Sequence, residues 1–308
     1  FGFVCFVFLT SLCIVIGNKH LAISNTSELT INYISSEPPK SKQSVDYLNI
    51  IYIVLDEYSR SDVLEREFEY DNSSFCDSLE RLGFEIMDRS RSNYWTTTYS
   101  LASSLNYHYL DTMLNSDFEY DALSLNSLIN KNAIMDLIRS RRGRIYSTNA
   151  SMFRDVYFDN FDSCLQSPNS FERIYDVGYC FWGSTAFHPL LKYISRNQTK
   201  EMVEIHKERI EGAWDGLQHN DIPGTNSFVF AHFLSPHPPF LFGSKVHEKD
   251  GNYIGSYPFF NVSTMSDSMW IEGYTNQIEY VNSKVLKVLE AQMSKSIRPI
   301  IIIQGDHG

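Results

Sequence analysis

Pro299-Ile-Ile-Ile-Ile-Gln-Gly-Asp306-His307-Gly308 is an apolar run that delivers an Asp-His pair into a glycine turn. Four isoleucines after a proline read as a β-strand buried on both sides, because a half-solvated strand would alternate apolar with polar residues. Asn49-Ile-Ile-Tyr-Ile-Val-Leu-Asp56-Glu57 repeats the design with two acids at its end. Ligands of an open α/β sheet gather beyond the carboxyl ends of the strands. Two strands that each end in metal-capable side chains therefore predict one shared site. Carboxylate oxygens together with imidazole suit a hard or borderline divalent ion.

Working outward, apolar strands are expected near 49–55, 144–148, 227–234 and 299–303, with helices near 73–83, 97–106, 126–140, 199–216 and 272–294. This alternation predicts an α/β fold with a mainly parallel central sheet and helices on both faces. Ile278, Val281, Val285 and Leu289 recur at helical spacing, so their face of the last helix is expected to be core.

Between the two acid-bearing strands lies Ser92-Asn-Tyr-Trp-Thr96-Thr97-Thr98-Tyr-Ser100-Leu-Ala-Ser-Ser-Leu-Asn106. Three threonines ahead of a small, apolar stretch put hydroxyls at a helix N-terminus, where free N–H groups and the dipole favour an anion. A threonine hydroxyl there can attack phosphorus or sulfur if a metal lowers its pKa. Each piece has an ordinary alternative: a strand-end Asp-Glu caps helices, Asp-His-Gly makes turns, and Thr96 or Thr97 can simply cap.

In combination and order, these segments resemble the alkaline phosphatase and sulfatase superfamily, specifically its membrane-anchored branch of phosphoethanolamine transferases and lipoteichoic acid synthases. The resemblance covers roughly residues 48–308. It implies a sulfatase-like catalytic domain with one divalent metal (Zn, Mn, Mg or Ca) held by an early acid, a threonine nucleophile and a late Asp-His pair. Carried over, the acid is Asp56, with Glu57 as the alternative; the nucleophile is Thr97, with Thr96 as the fallback; the late pair is Asp306 and His307. In Phe228-Val-Phe-Ala-His232-Phe-Leu-Ser-Pro-His237-Pro-Pro-Phe240, His237 matches a histidine that contacts the transferred phosphate, and His232 stands ready to assist.

The implied activity is a metal-dependent transferase or hydrolase acting on phosphate, less readily sulfate, esters of a phospholipid or envelope-glycan head group. Two alternatives accompany it: a sulfatase-type hydrolase or phosphodiesterase, and a membrane-tethered, non-catalytic binding module. The Cys/Ser-x-Pro-x-Arg segment that true sulfatases convert to formylglycine is missing, since Cys76-Asp-Ser-Leu-Glu has neither the Pro nor the Arg. Family members continue past Asp-His-Gly, so the resemblance also implies a catalytic domain incomplete at its C-terminus.

Residues 1–17, from Phe1 to Gly17, are uncharged and almost wholly apolar, fitting the exit half of a spanning helix, which needs roughly 20 such residues. Residues 18–47, rich in Ser, Thr, Asn, Lys and Pro, read as an exposed linker. Membrane anchoring with the catalytic domain on the extracytoplasmic side is the expectation. A net charge of −11 argues against nucleic acid, whose backbone demands a basic surface.

Of five cysteines, Cys5 and Cys13 lie in the apolar segment, and Cys164 and Cys180 are spaced to pair in an oxidising compartment, leaving Cys76 over. Aromatic residues make up 14% of the chain, and Tyr94-Trp95, Phe181-Trp182, Pro258-Phe-Phe260 and Trp270 are candidates to line a head-group cleft, although core packing is the usual fate of such rings.

Overall fold

Asn49–Leu55 forms β1, whose β-branched and aromatic residues favour the extended backbone, and it lies inside a five-stranded, wholly parallel sheet. The computed structural model describes residues 48–113, 122–148, 160–165, 196–220, 226–242, 248–249, 252–253 and 266–307. Two compact units divide the chain, residues 43–110 with 119–308 and residues 1–42 with 111–118. The first holds the sheet and every candidate site residue; of the second, only 111–113 are described.

After β1 come α1 (Ser61–Phe68), α2 (Ser73–Arg81), α3 (Thr97–Asn106), α4 (Leu110–Met113), α5 (Ala122–Asn130) and α6 (Ala133–Ser140). Then follow β2 (Arg144–Ser147), β3 (Ser163–Cys164), α7 (Arg196–His219), β4 (Ser227–Phe233), the small hairpin pair β5 (Glu248–Lys249) and β6 (Asn252–Tyr253), α8 (Asp267–Met293) and β7 (Ile300–Gly305). The sheet order is β3-β2-β4-β1-β7.

Along β1 and β4, alternate residues Ile51, Ile53, Leu55, Val229, Ala231 and Phe233 pack with α2, α7 and α8 through Phe75, Leu79, Trp214, Val281, Val285 and Leu289. The expected core stripe of the last helix is thus buried. The opposite alternation carries Tyr52, whose hydroxyl donates to Gln304 Oε1 at 3.0 Å, and Gln304 reaches Ser104 of α3. This places α3 on the second face.

Two expectations need correction. The run 299–303 is not buried on both sides: β7 is an edge strand among the described residues, and only Ile301 and Ile303 join the core, while Ile300 and Ile302 are 53% and 45% exposed. The single helix expected over 126–140 is two, because Asn132 adopts an extended backbone and its side chain accepts from Met135 N, capping α6. Neither α1 nor the two-residue β3 was anticipated.

No helix among the described residues is long and apolar enough to cross a membrane. The apolar segment 1–17, the linker 18–47 and Cys180, and so the Cys164–Cys180 pairing, lie outside the described residues.

Candidate metal centre and nucleophile

The site begins where β1 stops. Asp56 donates its N–H to Phe233 O at 3.0 Å and accepts from His237 N at 3.0 Å, which joins the carboxyl ends of β1 and β4. Tyr58 N donates to Leu55 O at 3.3 Å, closing a turn in which Glu57 sits at φ 59°. A non-glycine residue in this left-handed region carries backbone strain of about 1–3 kcal/mol, a cost met mostly at functional sites.

What holds the turn is Asp306. Its Oδ1 accepts from Glu57 N at 3.0 Å and from His307 N at 2.8 Å. The approach requires glycine just before it: a Cβ at Gly305 would lie 2.4 Å from Tyr58 O, inside contact distance.

Asp56, His232 and Asp306 converge here, each offering one ligand atom within 4.8 Å of the others. They come from the ends of three adjacent strands, β1, β4 and β7, and all three are buried. Asp56 Oδ1, Asp306 Oδ2 and both ring nitrogens of His232 make no hydrogen bond among the described residues. His232 Nε2 is 3.4 Å from Asp56 Oδ2, within ion-pair range but not aligned for a hydrogen bond.

Buried polar atoms are ordinarily paired, and two buried carboxylates side by side are costly unless a cation or protons join them. Burial raises the Asp306 carboxyl above its ordinary range, and the neighbouring Asp56 raises it further. Burial lowers the His232 imidazole, but Asp56 and Asp306 outweigh this and hold it above its ordinary value. This donor set could hold a metal ion.

Thr97 opens α3, and Thr96 is its N-cap residue but makes no capping hydrogen bond through its side chain. Ser100 Oγ donates to Asp306 O at 2.6 Å and ties the first turn of α3 to the end of β7. Thr97 Oγ1 thereby lies 3.1 Å from His307 Nε2. The same nitrogen is 3.5 Å from Asp306 Oδ2 and 3.6 Å from Asp56 Oδ1, so His307 stands between the hydroxyl and the carboxylates.

Glu57 and His237 form a second pair, Oε1 to Nε2 at 3.8 Å. Burial raises the Glu57 carboxyl above its ordinary range, and the nearby His237 offsets only part of the rise.

The candidate catalytic and metal-ligating residues Asp56, Glu57, Thr96, Thr97, His232, His237, Asp306 and His307 lie in this one region. Of the two candidate acids, Asp56 points into the Asp-His-Asp group and Glu57 toward His237. His232, assigned only an assisting role, is the imidazole of the buried group, and His307 instead bridges it to Thr97. Trp95, beside the threonines, is 86% exposed. Of the other candidate cleft aromatics, residues 181–182 and 258–260 lie outside the described residues, and Trp270 packs edge-on to Phe240 at 5.1 Å.

The sequence reading missed Tyr274 and Gln277, two buried polar residues of α8 that hold the loops carrying Glu57 and His237. Their signal was present: a glutamine inside an apolar helical stripe is costly to bury unless it is hydrogen-bonded.

No protein-family model matches the chain, and neither a curated protein nor a solved structure matches it.

Proposed function

We propose that the chain is a metal-dependent transferase or hydrolase of phosphate esters with Thr97 as its nucleophile. The observation that carries this reading is the 3.1 Å contact between Thr97 Oγ1 and His307 Nε2 at a helix N-terminus, beside the buried group of Asp56, His232 and Asp306. Those three residues would hold a divalent cation, two carboxylates and an imidazole suiting Zn or Mn better than Mg or Ca, and the ion would supply positive charge against the phosphoryl oxygens.

The chain's own groups do the rest. Thr97 Oγ1 gives its proton to His307 Nε2 as it forms a bond to phosphorus, and the bond from phosphorus to the leaving alcohol breaks. The N-terminal end of α3, through its helix dipole, favours the charge that develops on the phosphoryl oxygens. His237, held against Glu57, protonates the departing alkoxide. The resulting phosphothreonine passes its group to an acceptor hydroxyl or to water, whose proton goes to His237, while the bond from phosphorus to Thr97 Oγ1 breaks and His307 returns its proton to that oxygen.

The substrate class is a phospholipid or envelope-glycan head group. Supporting it are the apolar stretch 1–17 and polar linker 18–47, which suit tethering at a membrane with this domain on the extracytoplasmic side, and the exposed Trp95 next to the nucleophile. The resemblance to phosphoethanolamine transferases and lipoteichoic acid synthases supports transfer over hydrolysis.

The test is the intact mass of the metal-loaded protein after incubation with phosphatidylethanolamine or phosphatidylglycerol, beside Thr97→Ala. An adduct that is lost in the variant establishes the nucleophile, and its mass names the group carried. Bound metal with no adduct from either donor, and no hydrolysis, sinks the proposal.

A further inference from the structure

We infer that Tyr274 and Gln277, one turn apart on α8, are positioning residues that act through Glu57 and His237, an assignment that rests on the phosphoester reading above. Gln277 is fully buried, and a side-chain amide has two donor hydrogens and an acceptor oxygen with two lone pairs. All of that capacity goes to one loop: Nε2 donates to Pro236 O and His237 O, both at 3.0 Å, and Oε1 accepts from Leu241 N at 2.7 Å and Phe242 N at 3.2 Å.

Tyr274 treats the other loop in the same way. Its hydroxyl donates to Glu57 O at 2.6 Å and accepts from Ser59 N at 3.1 Å, so it spans Tyr58 and holds the carbonyl of Glu57, the residue whose backbone is in the left-handed region. Phe240 of the His237 loop lies against the helix, and Gly273 is what lets it in: a Cβ there would sit 2.4 Å from the Phe240 ring.

An apolar α8 face would pack the sheet equally well, and burying these polar groups is worthwhile only where they place something. What they place is a pair. The turn that Tyr274 grips carries the Glu57 carboxylate, the loop that Gln277 grips carries the His237 imidazole, and the two meet at 3.8 Å. One rigid helix therefore sets that distance, as outer groups orient the inner ones of a metal or catalytic site.

The experiment is a pair of double-mutant cycles on the metal-loaded full chain, reading kcat and KM for bis(p-nitrophenyl) phosphate. Tyr274→Phe keeps the ring contact with Phe68 and loses only the hydroxyl. Gln277→Glu keeps the acceptors and loses both donors; where it does not fold, Gln277→Met replaces it. Each single change is expected to lower kcat/KM about 10- to 100-fold, mostly in kcat. Tyr274→Phe should add less than about 2-fold in a Glu57→Gln background, and the Gln277 change equally little in His237→Ala.

Val288→Ala, a core change farther along the same helix, should lower the melting temperature and leave kcat/KM in place. Effects that simply multiply in both cycles, or a Val288→Ala loss as large as the others, overturn the assignment. If the wild type turns over no phosphoester, the functional proposal has failed separately. Positioning is then read from the Cε1 NMR resonance of His237, which should move in Tyr274→Phe and in the Gln277 variant; a resonance unmoved in both overturns it.

Discussion

His206 ties the stability of this domain to pH through a single buried ring. It lies inside α7 with no hydrogen bond to Nδ1 among the described residues, and burial, with a smaller contribution from Arg209, pushes its pKa down to about 3. An unfolded histidine titrates near 6.5, so between these values the unfolded chain binds more protons than the folded one. Its contribution to stability is therefore complete above about pH 6.5 and is lost as pH falls toward 3. Between pH 6.5 and 5 the loss is about 2 kcal/mol, at about 1.4 kcal/mol per pH unit. Urea unfolding at these two pH values should show it, and His206→Leu should flatten the dependence; an unchanged slope in the variant would falsify the account.

Residues of the site were legible to different degrees. Asp56, Asp306 and His307 stood out because strand ends are where a parallel sheet presents ligands. The division of labour between Asp56 and Glu57 was not, since it depends on a left-handed turn that Asp306 holds from 249 positions away in sequence.

At the scale of the element, the turn between β1 and α1 depends on what β7 lets approach it. Gly305→Ala would drive a Cβ to 2.4 Å from Tyr58 O, and the strand end carrying Asp306 must shift. Overpacking of this kind costs about 1–3 kcal/mol. Gly143→Ala offers a matched comparison, because its Cβ would meet Asn226 O at 2.5 Å just ahead of β2, at the end of the sheet opposite the site. Both variants should melt lower by similar amounts. Only Gly305→Ala should also bind Zn or Mn more weakly, by titration calorimetry, and equal metal affinity in the two would disconnect Gly305 from the site.

The strands were legible as β-branched runs and the helices as periodic ones. Tertiary context decided the remainder: an edge position exposes Ile300 and Ile302, and a capping asparagine splits 126–140. Gln277 drew no reading from the sequence, because the loop it holds reaches it only through the fold.

At the scale of the molecule, a parallel sheet brings three chain segments far apart in sequence to one end, and the cost is electrostatic. Asp56 and Asp306 lie close together in a buried site, beside the His232 imidazole and with His307 Nε2 3.6 and 3.5 Å from their carboxylates. Like charges in such a place destabilise the fold unless a cation or protons offset them. Metal binding is therefore expected to be folding energy as well as chemistry. A ligand at 100 times its Kd stabilises by about 2.7 kcal/mol, and a domain of this size shifts by about 2–4 °C per kcal/mol. Treatment with a chelator should lower Tm by about 5–10 °C, and Zn or Mn should restore it. Asp306→Asn sharpens the test. It keeps the oxygen that accepts from Glu57 and His307 while removing one charge, so the metal-free protein should melt no lower than the chelated wild type, and added metal should give little increase. A wild type whose melting ignores both chelator and metal would leave the two buried carboxylates stabilised by protons alone, and the metal centre would then have no thermodynamic support.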